Sequence, residues 1–359
     1  MCNERIENVS LREKIVSAEI AASFIEDGMV VGMSGFTRAG DAKEVPLALA
    51  RRAATHPLKI SLLTGASLGH DIDKILCEAG VIARRMPFQV DTTLRAAINR
   101  GEVMFIDEHL SEVAESLRGQ QLPPIDCAII EAVAIKKDGG LVLSSSIGNT
   151  PIFLQQAKKI IIEVNKAFPM DFEGVHDIYL PAQRPGRPPV EVLDVRTRIG
   201  SPYMAIDIDK VVAVVVTDKA DSPSTILPPD AETVAIGKHL IDFFEAEMRA
   251  GRLTHSLAPI QAGIGTIANA VLMNFAESNF YNLTMYSEVL QDSTFDLFDA
   301  GKLDFASACS ITLSEQCAQR VFHNMEKYKD RLVLRPQEIS NFPEIIRRLG
   351  IITINTALE

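Results

Sequence analysis

Several things are scarce or missing in this chain of 359 residues, and each absence narrows what it can do. Basic side chains are outnumbered, 36 Lys and Arg against 47 Asp and Glu, which leaves a net charge of −11. A nucleic-acid partner demands a basic face that neutralises phosphates, so that class is set aside. An anionic small ligand would have to be met by locally placed cations or backbone N–H groups, against the overall field. The five cysteines, Cys2, Cys77, Cys127, Cys309 and Cys317, lie far apart with no C-x-x-C pair. An odd count without secretory context points to reduced thiols that act as small buried hydrophobes. No apolar run approaches the roughly 20 residues of a membrane helix. Met1 to Arg5 lacks the charged-then-apolar pattern of a signal peptide. A cytoplasmic protein is expected. The seven histidines show neither H-E-x-x-H nor any other ligand spacing, so no metal site is expected.

What is present is ordinary for a globular protein, 47% apolar and 23% charged residues. The length fits about two domains of roughly 150 residues each. An amphipathic helix is expected over 11–27, ended by Gly28 and followed by a short strand over 29–33. Ser34, Gly35, Phe36, Thr37 and Gly40 then form a small-residue loop before a helix from Val45 to Ala53. Buried strands are expected at 60–64, 125–130, 159–164 and 211–216. Their β-branched runs, separated by helical patterns, describe parallel strands covered on both faces. The hydroxyl-rich loop 144–150 is read as turn and N-cap duty before a helix near Phe153 to Ala157. His176 and Asp177 are adjacent in an extended segment and face opposite ways, so they read as structural rather than as a dyad. The prolines between 181 and 190 mark a surface connection. The Asp-, Ser- and Pro-rich stretch 218–230 is the best linker. Two α/β units follow from this, residues 1–220 and 231–359, the second opening with a long helix over 231–250.

The second unit carries the chemistry. Asn282 to Gln291 reads as a buried strand that turns and runs into a helix around Phe295 to Phe298. Ahead of it Gly263, Ile264, Gly265, Thr266 and Ile267 form a glycine loop feeding a helix, whose N–H groups suit an anion or an amide. Neighbouring strand-to-helix crossovers place both at one crevice. Glu288 at a strand tip fits covalent carboxylate chemistry, or simply a carboxylate near a helix N-terminus. The pattern Gly263, Gly265, Ala268 leaves a dinucleotide site open as well.

Tyr286-Ser287-Glu288-Val289-Leu290-Gln291 resembles the active-site segment of the acetyl-CoA hydrolase/transferase family, class I CoA-transferases of the succinate–acetate and propionyl-CoA–succinate type. The same family is matched at Ser34-Gly35-Phe36-Thr37, Leu63-Thr64-Gly65-Ala66-Ser67, Gly263-Ile264-Gly265, Arg335 to Asn341 and Pro343 to Gly350, nearly end to end. The resemblance implies two open, mostly parallel α/β domains with the site at their interface, and it favours CoA over a dinucleotide. It implies transfer of CoA between a short-chain acyl-CoA and a carboxylic acid, with Glu288 as nucleophile, through a glutamyl-CoA thioester and ping-pong kinetics. Coenzyme A, as acyl-CoA substrate, is the only cofactor expected, and a homodimer or larger homo-oligomer the expected assembly.

The same resemblance gives Asn341 a positioning role, although Asn341 and Glu344 also spell a capping box. It places Ser67 near the acyl group and Leu358 against CoA by backbone and shape. Arg331, Arg335, Arg347 and Arg348 are candidates for the CoA phosphates, or ordinary solvated charges. Met285 to Glu288 leans towards the propionyl-CoA–succinate branch. Relatives continue past Glu359 through a glycine-rich segment that supplies oxyanion donors, so the second domain is expected to be C-terminally truncated. Acyl-CoA hydrolysis, with water taking the intermediate instead of a second acid, is one alternative, and a truncated, inactive CoA-binding homologue another.

Overall fold

The β-branched runs do become strands. The computed structural model describes residues 2–225 and 230–355. Strands Val30–Met33, Ile60–Leu63, Cys127–Ala132, Lys159–Asn165 and Val211–Thr217 lie in one seven-stranded sheet, with Ile82–Met86 and Met104–Phe105 extending one edge. Every pairing in it is parallel. Alternate residues feed two cores: Ala128 and Ile130 pack into one apolar cluster, Cys127 and Ile129 into another. Both faces are covered, which is why these strands read as continuous apolar runs.

A second parallel sheet of five strands is ordered Leu332–Leu334, Leu303–Ala308, Leu283–Tyr286, Ile260–Ala262, Ile352–Ile354. One of its faces shares the larger core with the first sheet through Leu283, Met285 and Leu303. The opposite face is covered by Val190, Val192 and Val195 from the first half, which pack with Tyr286, Phe305 and Val333. The proline-rich segment therefore leads into a strap across the second sheet.

Two expectations change. The helix over 11–27 splits into Val9–Arg12 and Ala18–Ala22. Between them the Val16 N–H donates to the Val214 carbonyl at 2.9 Å and the Val214 N–H to Lys14 at 2.8 Å, so the chain pairs with the sheet edge instead. The hydroxyls of 144–146 cap no helix. Ser144 Oγ donates to Glu131 at 2.6 Å, Ser145 Oγ to Asp221, and Ser146 Oγ to the Ala39 carbonyl at 2.8 Å. Within the stretch after Val211–Thr217, Asp221 meets the buried Lys43 at 2.9 Å and Ser222 Oγ accepts the His70 N–H at 2.7 Å. The helices Val45–Ala53 and Ala231–Arg249 lie where periodicity puts them. Among the described residues no helix is long and apolar enough to cross a membrane.

The loops at the carboxyl ends of the two sheets meet each other. Ile147 N–H donates to the Cys309 carbonyl at 3.0 Å, Ile311 N–H to Ser145 at 2.8 Å, and Gln337 N–H to Gly148 at 3.0 Å. In open α/β sheets this end is where ligands bind.

Candidate active site

Glu288 sits where the strand Leu283–Tyr286 stops and the chain bends before the two-residue strand Val289–Leu290. Its backbone is pinned: Ser287 N–H donates to Ser307 at 2.8 Å, and the Glu288 carbonyl accepts Cys309 N–H at 2.9 Å and Ser310 N–H at 3.2 Å. Ser287 Oγ ties the bend to Ala262 at 3.1 Å. Glu288 lines a cavity of about 290 Å³ together with Gln261, Ala262, Gly263, Ile264, Val289 and Asn355. The strand tip and the glycine loop thus come together as expected.

The glycine loop is less open than a free anion cradle. Gly263 N–H donates to Ile354 at 2.9 Å, and Gly265 N–H to Gln291 Oε1 at 3.2 Å. Gln291 Nε2 returns a bond to the Gly263 carbonyl at 3.0 Å. A Gln from the Glu288 segment therefore holds the loop in shape. Gly265 has φ of 110°, a conformation that disfavours any side chain. Thr266 opens the helix Thr266–Glu277, which carries Ile267 in its first turn. Ile264 is 58% exposed at the cavity mouth, an apolar surface facing solvent.

Burial raises the pKa of Glu288, and the Asn341 amide is the group that pulls the other way. Asn341 Nδ2 is buried and has no hydrogen bond of regular geometry among the described residues, and its side chain lies close enough to the Glu288 carboxylate to favour the charged form. The capping-box reading fails here. The helix Pro343–Leu349 has Phe342 at its N-cap with no side-chain bond, and Asn341 instead ends the one-turn helix Gln337–Ser340. Pro343 at the start of the longer helix takes up a position where no N–H is needed. Burial, with the nearby Glu288 charge second, pushes the Cys309 thiol well up, so it stays neutral beside the carboxylate.

Ser67 is buried and does not line the Glu288 cavity. Its neighbour Ala66 joins Phe36, Val289 and Cys309 in a small apolar cluster at the flank of Glu288. Leu358 lies outside the described residues. Arg335 is no phosphate contact: it is fully buried, ion-paired with Asp177, and donates to Ser307 Oγ at 2.8 Å. Arg331 lies over the Phe298 ring at 4.7 Å, and Arg348 donates to the Val190 carbonyl at 2.7 Å. Arg347 stays exposed beside Glu344 at 3.7 Å. None of the four lines the cavity. His176 is a structural residue, buried, bonded to the Ser144 carbonyl at 3.0 Å and held to a pKa of about 4 by burial.

Sequence reasoning missed the buried charges of the first sheet. Lys43 Nζ, fully buried, meets Glu131 at 2.5 Å and Asp221 at 2.9 Å. Glu163 accepts the N–H groups of Lys43, Glu44 and Val45, capping the helix Val45–Ala53 from a distant strand. Glu338 is clasped by Arg118 at 2.9 and 3.0 Å. Lys43 is paired with Glu131 and Arg118 with Glu338 only by the tertiary fold, across 88 and 220 residues of chain. Among the described residues no group of three or more His, Cys, Asp or Glu side chains is placed to hold a metal ion.

The comparisons with known proteins bear on the family and the fold. Residues 1–216 match the family model of the acetyl-CoA hydrolase/transferase N-terminal domain. The chain is 43% identical over 358 residues to a succinyl-CoA:acetate CoA-transferase of Clostridium kluyveri, covering 99% of this chain and 66% of that one. It is 43% identical over 371 residues to an acetyl-CoA hydrolase of Schizosaccharomyces pombe, covering 100% and 71%. It is 41% identical over 350 residues to a propanoyl-CoA:succinate CoA transferase of Escherichia coli, covering 96% and 71%. The chain therefore spans about two thirds of the length of these relatives. Its fold matches RipA of Yersinia pestis at a TM-score of 0.72 and 18% identity, covering 97% of this chain and 74% of that one. A 4-hydroxybutyrate CoA-transferase of Porphyromonas gingivalis follows at a TM-score of 0.61 and 18% identity, with the same coverage. From the family model and these identities, this chain belongs to the acetyl-CoA hydrolase/transferase family.

Proposed function

We propose that the chain transfers CoA between a short-chain acyl-CoA and a carboxylic acid, with Glu288 as the nucleophile. The observation that carries this is a half-buried Glu288 lining a cavity shared with the glycine loop, its pKa raised by burial and opposed by a single amide. A carboxylate stripped of water is a stronger nucleophile once ionised, and covalent catalysis divides a hard transfer into easier steps. A Glu288 oxygen adds to the thioester carbonyl and the C–S bond breaks, giving a mixed anhydride and CoA thiolate. The thiolate adds to the glutamyl carbonyl and releases the first acid as its carboxylate. The acceptor carboxylate then displaces CoA from the glutamyl thioester, and the thiolate attacks the acceptor's acyl carbon. The new acyl-CoA departs and Glu288 is restored.

In this reading Asn341 orients the carboxylate. The loop of Gly263, Ile264, Gly265, Thr266 and Ile267 lines the path of the pantetheine arm, with exposed Ile264 as its apolar wall. CoA enters and leaves as a thioester, so it is a substrate rather than a resident group. Hydrolysis is the second reading, supported by the relative named acetyl-CoA hydrolase; water would then take the place of the acceptor acid.

Acetyl-CoA turnover with and without succinate separates them. A transferase makes succinyl-CoA in step with acetyl-CoA loss and little free CoA. Free CoA released at the same rate without an acceptor would make the chain a hydrolase. Neither product would overturn both.

A further inference from the structure

Glu288 and Asn341 come from segments far apart in the chain, yet one hydrogen bond ties them at matched positions. Tyr286 lies two residues before Glu288 and Ile339 two before Asn341. The buried Tyr286 hydroxyl donates to the Ile339 carbonyl at 2.7 Å. We propose that Tyr286 is a positioning residue for this site, whose hydroxyl sets where the Asn341 amide stands relative to the Glu288 carboxylate. The inference rests on Glu288 being the nucleophile.

The geometry separates the work of the ring from that of the hydroxyl. The ring packs with Phe305, Val333 and Ile339 and belongs to the core that the strap covers. The hydroxyl acts on one turn, Gln337–Ser340, which presents Asn341 at its end. That turn is also held from the first half, by Gln337 Nε2 on the Leu110 carbonyl at 2.7 Å and by Arg118 on Glu338. Removing the hydroxyl therefore leaves the turn folded but unfixed on the Glu288 side. The Ile339 carbonyl keeps its second bond, from Phe342 N–H at 3.2 Å. Asn341 Nδ2 has no regular partner of its own, so its place depends on the backbone that carries it. A Tyr whose hydroxyl were only a satisfied core group would influence stability and nothing else.

A double-mutant cycle on the intact chain distinguishes the two roles. The quantities read are kcat, KM and the rate of Glu288–CoA adduct formation from acetyl-CoA, in wild type, Tyr286→Phe, Asn341→Ala and the double variant. Tyr286→Phe is expected to lower kcat and the adduct rate about fivefold, the worth of one net hydrogen bond, with KM nearly unchanged. In the Asn341→Ala background it is expected to add nothing further, because the group it positions is gone. The same fivefold loss with and without Asn341 would overturn the inference, as would wild-type kinetics with only a lowered unfolding midpoint. An adduct that still forms in Glu288→Ala would overturn the nucleophile and this inference with it. An adduct that needs Glu288 but ignores Tyr286 would overturn this inference alone.

Discussion

Two carboxylates, Glu131 and Glu288, stand at the carboxyl-terminal side of parallel sheets, and burial pushes the pKa of each upward. Glu131 is saturated. Its Oε2 meets Lys43 at 2.5 Å and Asn165 at 2.8 Å, and its Oε1 accepts Ser144 at 2.6 Å. Glu288 opens onto a cavity and is faced by one amide. A perturbed carboxylate is a weak pointer to function when structural partners already occupy both its oxygens, because structural ion networks shift pKa values too. Spare hydrogen-bonding capacity together with access is what the proposed nucleophile has and Glu131 lacks.

The comparison can be broken from either side. Glu288→Gln preserves shape and removes the nucleophile, so kcat should fall by roughly 10⁴-fold or more. Its stability by urea unfolding should match or exceed that of wild type. The fold favours the neutral acid, so ionised Glu288 costs stability as pH rises through its raised pKa, and the amide removes that cost. Lys43→Met should do the reverse and destabilise the protein by about 3–5 kcal/mol, because it strands buried carboxylates without their cation. The loss should shrink as pH falls and those carboxylates take up protons. A Lys43 variant as stable as wild type would mean that the charge cluster is not structural.

A smaller effect tests the environment of Glu288. The reaction needs the ionised form and burial favours the neutral one. Activity should therefore fail on the acid side at a pH above the value near 4.3 of an exposed Glu. Asn341→Ala should move that limb higher still, since the amide is the group that favours the charge. A limb in kcat/KM at the ordinary value, unmoved by Asn341→Ala, would show that Glu288 is solvated and not faced by the amide.

The strands of the first sheet were legible because both faces are buried, so Val211–Thr217 and Lys159–Asn165 read as apolar runs. Ile82–Met86 was hidden by its arginines. Arg85 is fully buried, yet it pairs with Asp73 at 2.7 Å, a solution no apolar pattern displays. Glu288 was legible only through resemblance, since a lone Glu at a strand tip has no distinctive spacing. The positioning role of Asn341 rests on the same resemblance, and the local reading of its segment does not hold. Its segment spells a capping box, but the chain spends that residue at the end of a tight turn and leaves the amide free for Glu288. The parts held across the fold, Tyr286 on Ile339 and Arg118 on Glu338, have no local signal at all.

The most direct test of the account is intact mass after incubation with acetyl-CoA or succinyl-CoA and reduction with borohydride. A glutamyl thioester is reduced to the alcohol, a mass loss that peptide mapping can locate. The account predicts that this change falls on Glu288 and vanishes in Glu288→Ala. A change mapped to another residue, or none while acyl-CoA is being turned over, would contradict it.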